Sequence, residues 1–157
     1  MQTYRIVVGF DGSDGGVRAL SWAVAEAAKQ GGAVQAVTAW QWTEPELGAE
    51  VRAAHGEMAR VSLEAAIIAA REDHPEVTVA GQAVPGAPAE VLTEAAADAD
   101  LLVLGSHGHG RLFHAVLGSV AGQCVRAAVC PVVVIPVPHP AKAPAEPPAV
   151  PITTGMY

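Results

Sequence analysis

Leu101-Leu102-Val103-Leu104-Gly105-Ser106-His107-Gly108-His109-Gly110-Arg111, residues 101–111, runs from four consecutive apolar side chains into a glycine-rich loop. An apolar run without alternation reads as a strand covered on both faces, the pattern of a parallel sheet between helices. Ile6-Val7-Val8 near the start and Val132-Val133-Val134-Ile135 near the end repeat it. Such runs alternate with longer stretches of Ala, Glu and Arg, which is the rhythm of successive βαβ units. The reading is a doubly wound α/β sandwich.

The remaining elements follow from local signals. Residues 4–10 form the first strand. Ser13 or Asp14 caps a helix whose Val17, Leu20, Val24 and Ala28 recur at helical spacing, and Gly31-Gly32 ends it. A second strand runs from Val34 to Trp40, and Glu44-Pro45-Glu46 lies in a loop. A long helix spans Ala49 to Asp73 and is closed by Pro75. Val77 to Val84 is the third strand, and Pro88 suits the first turn of a third helix reaching about Ala97. The fourth strand is Leu101–Leu104, the fourth helix Gly118 to about Ala128, and the fifth strand Pro131–Val137.

Residues 1–137 make one domain. Eight of the 12 prolines fall after residue 130, and residues 138–157 mix Pro and Ala with little that builds a core, so an extended, disordered tail is expected. The chain is 51% apolar and 16% charged, ample for a single core without disulfides. Its net charge of −7 opposes a phosphate backbone, which excludes nucleic acid as the natural partner. No apolar run approaches the roughly 18 residues of a membrane span. Met1-Gln2-Thr3-Tyr4-Arg5 leads straight into a strand without an apolar leader, so a cytoplasmic protein is expected. Cys124 and Cys130 form no CxxC pair and read as reduced, buried thiols.

In a doubly wound fold, ligands gather beyond the carboxyl ends of the strands where strand order reverses, which directs attention to Asp11-Gly12-Ser13 and Gly105–Gly110. Glycine lets backbone approach a ligand closely, and a helix start offers unpaired amides to an anion. Three phosphate-binding patterns fail. A Walker A loop requires GxxxxGK[ST], but Gly110 is followed by Arg111-Leu112. A dinucleotide fingerprint requires GxGxxG, whereas Gly9, Gly12 and Gly15 are evenly spaced by three. A phosphoacceptor receiver needs a carboxylate ending the third strand, where Ala83-Val84-Pro85 stands.

The pattern that fits is Gly-x2-Gly-x9-Gly-Ser, met by Gly105, Gly108, Gly118 and Ser119. With Ile6-Val7-Val8-Gly9-Phe10-Asp11-Gly12-Ser13 at the start and Pro131-Val132-Val133-Val134-Ile135 at the end, it resembles the ATP-binding branch of the universal stress protein family. The resemblance covers about residues 4–136. It implies a five-stranded parallel sheet of order 3-2-1-4-5 with helices on both faces, of the adenine-nucleotide alpha-hydrolase-like type. It also implies that Gly9, Phe10 and Asp11 line the adenosine end, with the Asp11 carboxylate accepting from a ribose hydroxyl. By the same resemblance, Ala39 offers backbone groups to the adenine edge, and Leu104, Gly105, His107 and Gly108 wrap the ribose and phosphates. Gly118, Ser119 and Val120 present amides to phosphate, with the Ser119 hydroxyl beside them. Ala121 departs from the serine or threonine of many ATP-binding relatives, so ADP and AMP stay open beside ATP, with Mg2+ as companion ion. The implied homodimer pairs through the fifth strand, Val132, Val133, Val134 and Ile135.

Arg111 is the full positive charge of the loop and reaches a phosphate or solvent. His107, His109 and His114 lack a cysteine or carboxylate in the same loop, so no metal site is expected there. Trp22, Trp40 and Trp42 read as packing, with Trp40 and Trp42 flanking the mouth of the site. The leading reading is a nucleotide-dependent stress-response regulator that is not primarily an enzyme. The alternatives are a slow ATP hydrolase or nucleotidyl transferase using the same pocket, or a nucleotide-free interaction module. The protein partner is not named by the sequence.

Overall fold

The fold was obtained as a computed structural model and describes residues 2–107 and 117–138. In chain order the elements are β1 (Arg5–Gly9), α1 (Asp14–Gln30), β2 (Ala33–Trp40), α2 (Gly48–Ala70), β3 (Thr78–Pro85), α3 (Pro88–Ala95), β4 (Leu101–Gly105), α4 (Ser119–Ala127) and β5 (Val132–Ile135). A single 3-10 turn, Pro45–Leu47, occupies the stretch read as a loop. The sheet is parallel and ordered β3-β2-β1-β4-β5, as the resemblance implies. The central strand holds its neighbours in register through Val8, opposite Ala36 on one side and Val103 on the other.

Each face of the sheet carries its own core. Ile6, Val8, Phe10, Val34 and Ala36 meet α1 through Ala19, Leu20, Ala23, Val24 and Ala27, and meet α2 through Leu63 and Ile67. The opposite face joins Val7, Val37, Leu102 and Leu104 to Ala89 and Leu92 of α3 and to Ala121 and Cys124 of α4. Ile6, Val7 and Val8 are fully buried, each worth about 1.5–3 kcal/mol of transfer free energy. β1 therefore pins both layers, which is why its sequence does not alternate.

The caps are local in origin. Ser13, in extended backbone, accepts from Gly16 N through its side chain, and Gly31 closes α1 at φ 63°, a left-handed conformation that favours glycine. The buried stripe of α1 is rotated slightly from the expected one, because small residues at 16, 19, 23 and 27 let the helix sit close to the sheet and leave Val17 exposed. α2 stops at Ala70, short of Asp73, and Arg71 then turns to donate from Nη2 to Pro75 O at 2.9 Å. β3 runs on to Pro85, which an edge strand tolerates because the missing N–H interrupts no second ladder.

Candidate functional site

β1 and β4 lie side by side, so the order reverses between them and their carboxyl ends open a crevice. Backbone meets backbone at its base. A Cβ on Gly105 would fall 2.8 Å from the Gly15 carbonyl carbon, and one on Gly15 would fall 2.6 Å from His107 O. Glycine at both positions is what allows the first turn of α1 to sit against the end of β4. Gly9 has a packing reason too, since its missing Cβ leaves room for Leu92 and Leu104. Leu104 is correspondingly buried in the second core.

Asp11 follows β1 and stands over the start of α1. Its Oδ1 accepts from Ser13 N at 2.9 Å and from Ser13 Oγ at 2.5 Å. Ser13 Oγ in turn accepts from Gly16 N at 3.1 Å. The expectation that Ser13 caps the helix holds, and Asp11 orients the capping side chain.

Beside Asp11 is a cleft of about 240 Å³. Phe10, Asp11, Gly12 and Thr38 line it from the strand ends, and His55, Met58, Ala59 and Ser62 line it from α2. Val37 belongs to the second core, so Ala39 faces that side and Thr38 faces α2. Thr38 is only 8% exposed, and its Oγ1 is buried with no hydrogen-bond partner among the described residues. The His55 ring lies 5.8 Å from the Trp40 ring and 5.9 Å from that of Trp42. Trp40 rests on Gly56, where a Cβ would meet its ring at 2.8 Å. These two tryptophans thus flank the cleft through His55.

On the other side of the crevice, Gly118 N donates to Ser106 O at 2.7 Å, and a Cβ at Gly118 would lie 2.9 Å from the same oxygen. That amide is already used within the protein. The first helical bond of α4 runs from Gly122 N to Gly118 O, which leaves the amides of Ser119, Val120 and Ala121 without an intrahelical acceptor. Ala121 turns its methyl into the core, 3% exposed beside Cys124. His107 Nδ1 is 3.1 Å from Ser106 Oγ, and its Nε2 is buried without a partner among the described residues.

Of the expected site residues, Gly105 and His107 meet Gly15 in the first turn of α1, Gly118 meets Ser106 and His107, and Phe10 and Asp11 line the cleft; Ser119, Val120 and Ala121 form the first turn of α4, and Ala39 lies in β2. Gly108 and Arg111, with His109 and His114, lie outside the described residues, as does the tail from residue 139. No group of three or more His, Cys, Asp or Glu side chains suited to a metal ion occurs among the described residues. The cleft wall from α2 was not anticipated, although Ser62 is seven residues after His55 and Met58 and Ala59 fall between them, the spacing of one helical stripe. Gly15 was likewise missed as the backbone partner of Gly105.

The sequence matches the universal stress protein family across residues 3–136. The chain belongs to that family. A universal stress protein of Mycobacterium tuberculosis is 37% identical over 130 residues, covering 82% of this chain and 44% of the relative. This chain therefore spans less than half the length of that curated relative. Among solved structures, a universal stress protein in complex with cAMP is similar at 29% identity with a TM-score of 0.63, covering 86% of this chain and 98% of that one. A protein of the same family from Burkholderia pseudomallei is also 29% identical, with a TM-score of 0.65 and coverage of 85% and 96%. Among the described residues, no helix of this family member is long and apolar enough to cross a membrane.

Proposed function

We propose that this chain is an ATP-binding universal stress protein domain, a nucleotide-dependent regulator of a cytoplasmic stress response. What supports the reading is the Asp11 carboxylate just past the end of β1 together with the amides of Ser119, Val120 and Ala121, which open α4 without an intrahelical acceptor, on a sheet whose strand order reverses between β1 and β4. A carboxylate suits a ribose hydroxyl, and amides at a helix start suit phosphate oxygens through their dipoles. The Thr38 hydroxyl, buried without a partner among the described residues, and the Ala39 backbone supply polar groups at the base end. The related structure in complex with cAMP supports the adenine class. The Ser119 hydroxyl adds a donor at the phosphate end, with Gly105 and His107 at the end of β4. Mg2+ would accompany the terminal phosphates, neutralising their charge.

In this reading nucleotide binding favours one conformation of the crevice, and homodimers form through β5, whose Val132–Ile135 stretch is an edge of the sheet. The test begins with acid release of any nucleotide from freshly purified protein and its identification by chromatography. Calorimetric titration of the emptied protein with ATP, ADP, AMP and cyclic AMP follows. Binding that is strongest for ATP and lost in Gly118→Asp is expected. Absence of bound nucleotide and of any heat with all four would overturn the reading.

A further inference from the structure

Among the residues lining the cleft, Thr38 alone has a buried side-chain polar atom with no partner among the described residues. A hydroxyl has one proton to donate, and leaving it unplaced away from water is costly. The cleft indicates what kind of group brings the acceptor. Phe10, Met58 and Ala59 give it apolar surface, Asp11 is its one carboxylate, and no Lys or Arg lines it. A phosphate is unsuited there, since the Asp11 charge would face it with no cation to offset it. A flat, uncharged ring suits the apolar side chains and the Met58 thioether. Phe10 is 5% exposed and Met58 71%, so a ring enters past Met58 and reaches Phe10 and Thr38 at the deep end.

The backbone of β2 gives that ring its direction. Val37 O accepts from Phe10 N at 2.9 Å, so the N–H and C=O of Val37 point toward β1. Those of Ala39, two residues on, point the same way but past Gly9, where β1 ends. Along a strand each N–H precedes its own C=O. An adenine whose amino group donates to Ala39 O, and whose N1 accepts from Ala39 N, therefore lies with N1 toward Thr38 and the amino group toward the open end. Passing round the ring from N1 through C2 brings N3 to the Thr38 side, whereas N7 sits beside the amino group.

We propose that the Thr38 hydroxyl donates to N3 of the bound adenine and is a specificity-determining group of the site, an inference that rests on the nucleotide reading. Oγ1 is buried while Thr38 lines the cleft, so a turn about χ1, which exchanges the hydroxyl with the methyl group, presents it to the ring. Protein groups nearby do not take its proton: Asp11 Oδ1 already accepts twice from Ser13, and Ser62 is exposed and served by solvent. The contact adds a second point of recognition behind the Ala39 backbone. Guanine fails at both points. Its O6 and N1–H reverse the pattern that Ala39 offers, and its 2-amino group, next to N3, crowds the Thr38 side.

The experiment titrates the full chain, Thr38→Val and Thr38→Ser with ATP, 3-deaza-ATP and 7-deaza-ATP by calorimetry, at a mildly alkaline pH where every ring is uncharged. Each analogue keeps the shape of ATP and replaces one ring nitrogen by C–H. The unmodified chain is expected to bind 3-deaza-ATP about tenfold more weakly than ATP, the loss of one hydrogen bond, and 7-deaza-ATP within about twofold of ATP. Thr38→Val should bind ATP and 3-deaza-ATP equally, and Thr38→Ser, which keeps the hydroxyl, should retain the preference. Circular dichroism confirms that both variants are folded. Equal affinity of the unmodified chain for ATP and 3-deaza-ATP, a preference that survives in Thr38→Val, or a loss confined to 7-deaza-ATP would each overturn the proposal. ATP still binds in those three cases, so they leave the nucleotide reading standing. Absence of heat with ATP itself would overturn that reading and this inference together.

Discussion

Asp11 Oδ1 accepts from both the amide and the hydroxyl of Ser13, and so holds the residue that caps α1. The carboxylate that would receive a ribose is thereby also a structural group. Asp11→Ala should cost about 1 kcal/mol of stability through the cap and about tenfold in ATP affinity, the equivalent of one charge-assisted hydrogen bond. Ser13→Ala should cost similar stability and leave affinity nearly unchanged. Denaturant unfolding and calorimetry separate the two effects. An Asp11→Ala protein that binds ATP as tightly as wild type would remove Asp11 from the ribose.

Two glycines should respond to the same substitution with opposite signs. At Gly105 the new methyl carbon meets the backbone of Gly15 at 2.8 Å, and two backbones cannot part without moving α1 from β4. Gly105→Ala should destabilise by about 1–3 kcal/mol. At Gly122, inside α4, the nearest atom is Arg126 Nη1 at 3.9 Å. Gly122→Ala should therefore stabilise by roughly 0.5–1 kcal/mol through backbone entropy. Unfolding midpoints shifting in the same direction would contradict this account of the β4 end.

What the sequence discloses is what short-range physics decides. The βαβ rhythm, the Ser13 cap and the Gly31 terminus each depend on a few neighbouring residues, and each appears in the structure close to its expected place. The contact of Gly105 with Gly15 joins segments far apart in the chain, and nothing local marks Gly15 as the partner. The place of His55 and Ser62 over the end of β2 depends on how the long α2 crosses the sheet. For the same reason the core stripe of α2 could not be told from the exposed apolar residues opposite it, because Leu63 and Val61 are equally apolar. Likewise, Gly118 reads as an amide donor until Ser106 O is seen to accept from it.

The two thiols make a pH-dependent case. Cys124 is fully buried and Cys130 partly so, and burial pushes both above the ordinary thiol range. A raised value means less thiolate at pH 8, hence slow reaction in the folded protein. Cys130 should be modified by a thiol-specific reagent before Cys124, which should react only on unfolding. As pH climbs through the ordinary thiol range, the unfolded chain ionises first, so native stability should fall. Time-resolved mass spectrometry of the labelled protein and unfolding curves at rising pH check both statements. Rapid labelling of native Cys124 would contradict its burial.

Thr38→Val offers the sharpest test of the cleft, because its two effects have opposite signs. The hydroxyl is buried with no partner among the described residues, so the folded chain has lost its hydration without replacing it. Valine keeps the shape, suits a strand and removes that cost, which should raise stability by about 1 kcal/mol. If the base end of a nucleotide supplies the missing partner, the same substitution should lower ATP affinity by about tenfold while leaving competition by inorganic triphosphate unchanged. Greater stability with weaker ATP binding would mark Thr38 as a ligand-reading group held ready at some expense to the fold. Unchanged ATP affinity would take the base out of this cleft. It would leave the phosphate end, at Ser119, Val120 and Ala121, to be tested separately.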